Sequence, residues 1–261
     1  MTAPSSRPTQ CAHCGYDNHV ETYESINSHD RQLREKLVSG ALWTWQCAKC
    51  AKDTFSLYPV LYHDMRSWCM IYYLDRQMTE DPRVIEKMVP AADQLTALRR
   101  FNLSYRFRLC RSLEDFVEKV RILDAGLDDR AVEYLKLRHS GVPLKTRFER
   151  LADGEPKSLE FSITARSPSG PRTEVLPMAY SAYADALANI NQGMRGEPDV
   201  ASGFIIVDQS YIEERFPEIR PKRPDPMAPT PAPQPAGDMG SIVFGKTRRS
   251  GDTQKPWWRF W

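Results

Sequence analysis

Residues 11–15 read Cys-Ala-His-Cys-Gly, and residues 47–50 read Cys-Ala-Lys-Cys. Two Cys-x-x-Cys pairs separated by 32 residues are a strong signal for one metal site, because two short turns brought together supply four thiolates to a tetrahedral Zn²⁺. Gly15 suits the tight turn of the first pair. Four thiolates leave no open coordination position, so the metal is expected to be structural and not catalytic. The predicted ligands are Cys11, Cys14, Cys47 and Cys50.

Two disulfides and a redox-active cysteine pair are the alternatives for the same residues. No apolar signal-peptide segment is evident near residue 1, which favours a reducing, cytoplasmic setting over disulfides. A thioredoxin-like pair needs a βαβ setting, whereas the flanks of both pairs look like hairpins. His13 and His19 could each replace a cysteine, but we expect both to be exposed. Cys69 and Cys110 stand alone in apolar runs and are expected to be small buried hydrophobic residues.

The residues around the cysteine pairs resemble the CpXC domain of bacteria and archaea. The resemblance covers about residues 8–140 and rests on the two Cys pairs and on the stretches 24–27, 33–37, 39–40, 62–64 and 113–136. That family is named for two Cys-Pro-x-Cys motifs, and this chain has Ala12 and Ala48 at the two proline positions. The resemblance implies a metal-binding cysteine cluster and indicates no particular reaction.

Hydrophobic periodicity predicts an α+β fold. It consists of an antiparallel sheet with a Cys₄ zinc-ribbon-like knuckle at its edge, an αα-hairpin and a small C-terminal α/β part. Leu33 and Leu37 lie one helical turn apart before Gly40, which predicts a helix over residues 27–39. A run from Trp68 to Leu74 is apolar on both faces, as expected for a central strand. The other elements predicted from period and caps are strands over 41–47 and 53–62, helices over 83–100, 113–125 and 128–138, paired strands over 159–165 and 172–177, a helix over 178–192, a strand over 203–207 and a helix over 209–215.

The composition of successive stretches of the chain predicts its domain organisation. The net charge is +2 over 261 residues, so a strongly basic surface that binds nucleic acid along its whole extent is not expected. No run of 18 apolar residues indicates a membrane span. Eight prolines fall between Pro217 and Pro235, which predicts an extended linker. The predicted segments are a disordered lead-in over 1–8, a CpXC-like zinc-binding domain over 9–140, a C-terminal α+β part packed on it over 141–216, a disordered Pro-rich linker over 217–240 and a basic aromatic tail over 241–261.

The last residues suggest how the protein works. Residues 217–261 carry a net charge of +4, and three of the six tryptophans lie within the last five residues. Aromatic residues and arginine dominate binding hot spots, so we expect this tail to engage a protein partner or a second subunit. The predicted partner-binding residues are Trp257, Trp258, Arg259, Phe260 and Trp261. A tail that folds back on its own body, or inserts at a membrane interface, is the alternative. A nucleic-acid-binding zinc ribbon is the second function class and an uncharacterised enzyme the third.

Two other sequence patterns resemble functional motifs, but we assign neither a binding nor a catalytic function to them. Gly240 to Thr247 matches G-x-x-x-x-G-K-T, but a phosphate-binding loop needs a buried strand before it and a helix after it. A proline-rich segment precedes this match, and we interpret it as coincidental. His63 and Asp64 are neighbours on a strand and should point to opposite faces, so a turn or hydrogen-bonding role is favoured over a catalytic dyad. No catalytic residue and no cofactor other than Zn²⁺ is predicted.

Overall fold

A computed structural model describes residues 4–75, 97–98, 100, 105–139, 145–167, 170–194 and 204–219. These residues belong to one compact unit, Met1–Pro221. The linker beyond residue 219, the tail over 241–261, the phosphate-loop match and almost all of the helix predicted over 83–100 lie outside the described residues. No helix within the described ranges is long and apolar enough to cross a membrane.

The fold is α+β. Its strands are β1 (Pro4–Gln10), β2 (Asp17–Tyr23), β3 (Ser25–Asn27), β4 (Thr44–Gln46), β5 (Asp53–Phe55), β6 (Val60–Asp64), β7 (Cys69–Tyr73), β8 (Arg106–Cys110), β9 (Lys145–Ala152), β10 (Ser158–Ser167) and β11 (Gly170–Ala179). Its helices are α1 (Arg31–Ser39), α2 (Leu113–Asp124), α3 (Asp129–His139), α4 (Tyr180–Gly193) and α5 (Gln209–Arg215). Ala41–Trp43 and Pro217–Ile219 form short 3₁₀ turns.

The strands form four sheets, of which three are antiparallel. These are the pair β1–β2, the pair β4–β5 and a three-stranded sheet in the order β11-β10-β9. The fourth sheet has the order β3-β6-β7-β8 and is mixed, because β3 pairs with β6 and β7 with β8 in parallel. Parallel neighbours need a long crossover, and both parallel pairs here are separated by more than 30 residues of sequence. Strand β7 lies between β6 and β8, which confirms its central position.

Three sequence predictions in the N-terminal part of the chain are wrong. The strand predicted over 41–47 covers only Thr44–Gln46, because Ala41–Trp43 forms a 3₁₀ turn. Residues 4–8 are not a disordered lead-in, since β1 pairs with β2 from Pro4↔Tyr23 to Gln10↔Asp17. The side chains of β1 are almost all exposed, so its order comes from backbone pairing that a hydrophobic pattern cannot reveal. The strand predicted over 53–62 is two strands in different sheets, with Pro59, which lacks a backbone N–H, between them.

Helix caps were predicted well because they are local. Helix α1 begins one turn later than expected, where the Asp30 carboxylate accepts a hydrogen bond from Leu33 N at 3.1 Å. It ends at Gly40, whose φ of +82° is left-handed, as predicted. The hydroxyl of Ser112 caps α2 through Asp115 N at 3.1 Å. Helix α5 has the predicted bounds, whereas the strand predicted over 203–207 is only a single bridge at Ile205 within its described residues.

Aromatic packing ties the 3₁₀ turn before β4 to the central sheet and to α2. Trp43 is 1% exposed, and its ring lies 6.0 Å from Tyr73 on β7 and 6.3 Å from Phe116 on α2. A separate core joins α2 and α3 to the three-stranded sheet and to the helices that follow it. Its buried residues include Phe148, Leu159, Phe161, Ile190, Ile212 and Phe216.

Candidate metal centre

Two turns with the same backbone hydrogen bonds present the four cysteines. In the first, Gly15 N donates to Cys11 O at 2.9 Å and Cys11 N donates to Tyr16 O at 2.9 Å. In the second, Ala51 N donates to Cys47 O at 2.9 Å and Cys47 N donates to Lys52 O at 3.0 Å. Gly15 and Ala51 follow the second cysteine of each pair and share a left-handed backbone, with φ of +68° and +55°. The two turns are therefore equivalent, although only the first carries glycine.

The turns place the four sulfur atoms together. All four Sγ atoms lie within 4.8 Å of one another, with Cys11–Cys50 at 3.8 Å and Cys14–Cys47 at 3.7 Å. Tetrahedral Zn–S bonds of about 2.3 Å put sulfur atoms about 3.8 Å apart, which is the spacing of these two pairs. All four cysteines are free thiols. The cluster could hold a metal ion, and it is the one such group found among the described residues.

The cluster lies between two small sheets and not at the edge of a large one. Cys11 follows β1, Cys14 precedes β2, and the second pair connects β4 to β5. The four-stranded sheet contributes no cysteine to the cluster, and the sequence prediction that the site clips the edge of the main sheet is wrong. A metal here would join two hairpins, each of which is only two strands wide.

Backbone amides surround the two buried thiols. Backbone N–H groups of Cys50 and Lys49 lower the pKa of Cys47 to about 6, against the effect of its burial. Burial raises the pKa of Cys11, but the N–H groups of His13 and Cys14 and the hydroxyl of Thr54 together hold it below its usual value. These donors stabilise the thiolate form, which is the form that binds metal.

The structure places the other candidate residues outside the cluster. His13 and His19 are exposed, and His13 Nε2 lies 3.3 Å from the carbonyl oxygen of Asp53. Cys69 and Cys110 are 1% and 3% exposed in the central sheet, as predicted for small buried residues. The predicted partner-binding residues Trp257 to Trp261 lie outside the described residues.

Sequence reasoning missed Asn18. This buried residue donates from Nδ2 to Tyr16 O at 2.9 Å and to Cys47 Sγ at 3.7 Å, and its Oδ1 accepts from Ala48 N at 3.0 Å. One side chain thus holds the two cysteine turns together. Its only sequence signal is a polar residue at the start of a strand, which is too common to single it out.

Replacing Asn18 with alanine should weaken metal binding by about 10–100-fold, the usual effect of removing a group that orients metal ligands. The change removes a donor to Cys47 and the link to the second turn. Competition with a chromophoric chelator measures the affinity, and His19→Ala on the same strand is the control because that side chain is exposed. An Asn18→Ala protein with unchanged affinity would show that the backbone alone sets the geometry.

The hydrogen bonds of His63 and Asp64 indicate a structural role for the Tyr62-His63-Asp64 segment. Asp64 is 2% exposed and accepts hydrogen bonds from the hydroxyls of Ser28 and Ser67, both at 2.7 Å, and from Arg66 N at 3.1 Å. Burial raises the pKa of Asp64, but these hydrogen bonds outweigh it and leave the pKa lowered. His63 points the other way and bonds to the hydroxyl of Tyr105. The pair forms no dyad, and Asp64 fixes the turn between β6 and β7.

Comparison with known protein families gives a match that includes the cysteine cluster. Residues 9–136 match the family model described as CpXC protein. A search of the curated proteins and a search of the solved structures found no match.

Proposed function

We propose that this chain, whose residues 9–136 match the CpXC family model, is a zinc-stabilised binding protein. The observation that supports the proposal is the cage of four free thiols with tetrahedral sulfur spacing. Sulfur-only tetrahedral sites suit zinc or iron, and Zn²⁺ needs no redox partner. Four thiolates fill the coordination shell, so the metal stabilises the fold and activates no water. Because the thiols must stay reduced to bind metal, a cytoplasmic setting is part of the proposal.

Elemental analysis of protein purified without chelator tests whether the chain binds a metal and whether that metal is zinc. We expect one zinc ion per chain, lost when any of the four cysteines is replaced. Protein with no stoichiometric metal, or with iron in place of zinc, would contradict the proposal. A Co²⁺-substituted sample should show the visible absorption of a tetrahedral thiolate site.

The binding function is assigned to the aromatic tail. Trp257, Trp258, Phe260 and Trp261 are four large apolar side chains within five residues, and Arg259 lies among them. The 16 residues from 220 to 235 could span roughly 50 Å if extended at about 3.1 Å per residue. That reach is sufficient for a second subunit or another protein.

Deleting residues 254–261 should abolish an association and leave zinc content and melting temperature almost unchanged. The reason is that the buried core of the described residues ends at Phe216. Affinity capture with the tail peptide as bait, together with light scattering of the full and shortened chains, measures the association. Nuclease treatment separates a protein partner from nucleic acid, the alternative ligand of the basic tail. A large fall in melting temperature in dilute solution would instead show that the tail packs on its own body.

A further inference from the structure

A polar cavity lies far in sequence from the cysteine turns. Its volume is about 650 Å³, within the range of small-molecule sites. Its walls come from the end of β8, the first turn of α2, one side of α3, the start of β9 and the segment that begins α5. The cavity thus lies where the segments after residue 140 meet the part of the chain that matches the family model, residues 9–136.

Buried charges of alternating sign line this cavity. Lys119 Nζ lies 3.1 Å from Glu133 Oε1, and Lys136 Nζ lies 3.0 Å from Glu133 and 2.9 Å from Glu118 Oε1. Each of these four residues has only 4–5% of its surface exposed. Arg147, 3.7 Å from Glu118, continues the row to the surface. Burial lowers the pKa of Lys136, but Glu118 and Glu133 outweigh it and raise the pKa above its usual value, so the ammonium keeps its charge.

The row of charged residues from Lys119 to Arg147 can still make further hydrogen bonds, both as donor and as acceptor. Each ammonium has three N–H groups. Lys136 contacts Glu118 and both carboxylate oxygens of Glu133, whereas Lys119 donates to Glu133 and has Asp129 3.4 Å away, which leaves it one N–H among the described residues. Glu118 Oε1 accepts from Lys136 and from Phe148 N at 2.7 Å, while the ion-pair partner of its Oε2 among the described residues is Arg147, at 3.7 Å. Donors and acceptors therefore remain on neighbouring groups in one cavity wall.

The charge balance restricts the ligand. Four basic and five acidic residues line the cavity, so a purely anionic or purely cationic molecule would meet charges of its own sign. A molecule with an ammonium and a carboxylate attached to the same carbon atom can satisfy both. Leu109, Ile206 and Val207 add an apolar wall, which suits an aliphatic side chain.

We propose that this cavity binds a small zwitterion, an α-amino acid with an aliphatic side chain. Its ammonium is held by Glu118 and Glu133, its carboxylate by Lys119 and Arg147, and its side chain by the apolar wall. The proposal is independent of the zinc site and of the tail.

Calorimetry on the full zinc-loaded chain tests this proposal. The ligands are L-alanine, L-valine, L-leucine, L-isoleucine and L-methionine, with 3-methylbutylamine and 4-methylpentanoate as analogues that each retain one charge of leucine. We expect one or more of the amino acids to bind with a Kd below about 1 mM, and both analogues to bind at least about tenfold more weakly than leucine. No amino acid bound at about 10 mM, or equal binding of an analogue, would overturn the proposal.

Two variants at the cavity mouth locate the site. Ser210 is exposed and lines the cavity, so Ser210→Phe should block entry without touching the buried charges, whereas Ser210→Ala should bind as the parent does. Gln209→Phe is a second blocking variant if Ser210→Phe fails to fold, as judged by its circular dichroism. Binding that survives both blocking variants would place the ligand elsewhere and contradict the assignment.

Discussion

Replacing Cys47 with serine should remove the metal and unfold the strands β1, β2, β4 and β5. Serine cannot supply a thiolate, and Cys47 is the buried cysteine whose pKa is held at about 6 by backbone amides. The two hairpins that flank the cluster have two strands each, a size that is marginal without support. Structural zinc contributes about 10–16 kcal/mol in small zinc-binding units. Zinc content and amide hydrogen exchange across residues 4–55 measure the loss.

The control for this change is a cysteine outside the cluster. Cys110 is 3% exposed on β8, and Cys110→Ala should retain one zinc and cost about 1 kcal/mol, an ordinary core substitution. The three-stranded sheet and α4 should remain folded in Cys47→Ser, because their core is formed with α2 and α3. A Cys47→Ser protein that keeps its zinc, or whose hairpins keep their protection from exchange without it, would contradict a structural role for the metal.

The features that could be predicted from sequence are those that a few neighbouring residues determine. The cysteine turns, the left-handed end of α1 at Gly40 and the Ser112 cap each depend on a local pattern, and the structure agrees with all three. Strand β7 could be placed centrally because both of its faces are apolar. The break after β5 was missed because the hydrophobic pattern continues through Pro59, although the backbone there leaves one sheet and enters another.

The buried charges could not be predicted, because their burial depends on contacts across the fold. Helix α3 has buried residues from Asp129 to Leu137 without interruption, including four charged ones. In sequence these resemble the solvated face of an amphipathic helix. Arg130 pairs locally with Asp128, but the other three have partners on α2 or β8. No local pattern indicates that Lys119 faces Glu133 or that Arg108 bonds Asp129 at 2.7 Å. The same reason explains why Asn18 was missed at the metal centre.

Glu133→Gln should destabilise the protein by about 3–5 kcal/mol, the range for removing one partner of a buried ion pair. Glu133 is 4% exposed and neutralises two ammonium groups, those of Lys119 and Lys136. Glutamine keeps the shape and one acceptor oxygen but removes the charge, so the cost reports the uncompensated buried charge and not a cavity. Urea unfolding followed by far-ultraviolet circular dichroism measures the change in the free energy of unfolding.

Two further variants isolate the electrostatic cause. Glu35→Gln removes a carboxylate from an exposed pair with Arg31 at 2.9 Å, and should cost no more than about 0.5 kcal/mol. Adding Lys136→Met to Glu133→Gln removes one charge of each sign and leaves Lys119 with Asp129 and Glu118 with Arg147. The double variant should therefore lose less stability than the sum of its single changes, with a coupling of about 0.5–3 kcal/mol. Strict additivity, or a Glu133→Gln cost as small as that of Glu35→Gln, would show that water reaches the row and screens its charges.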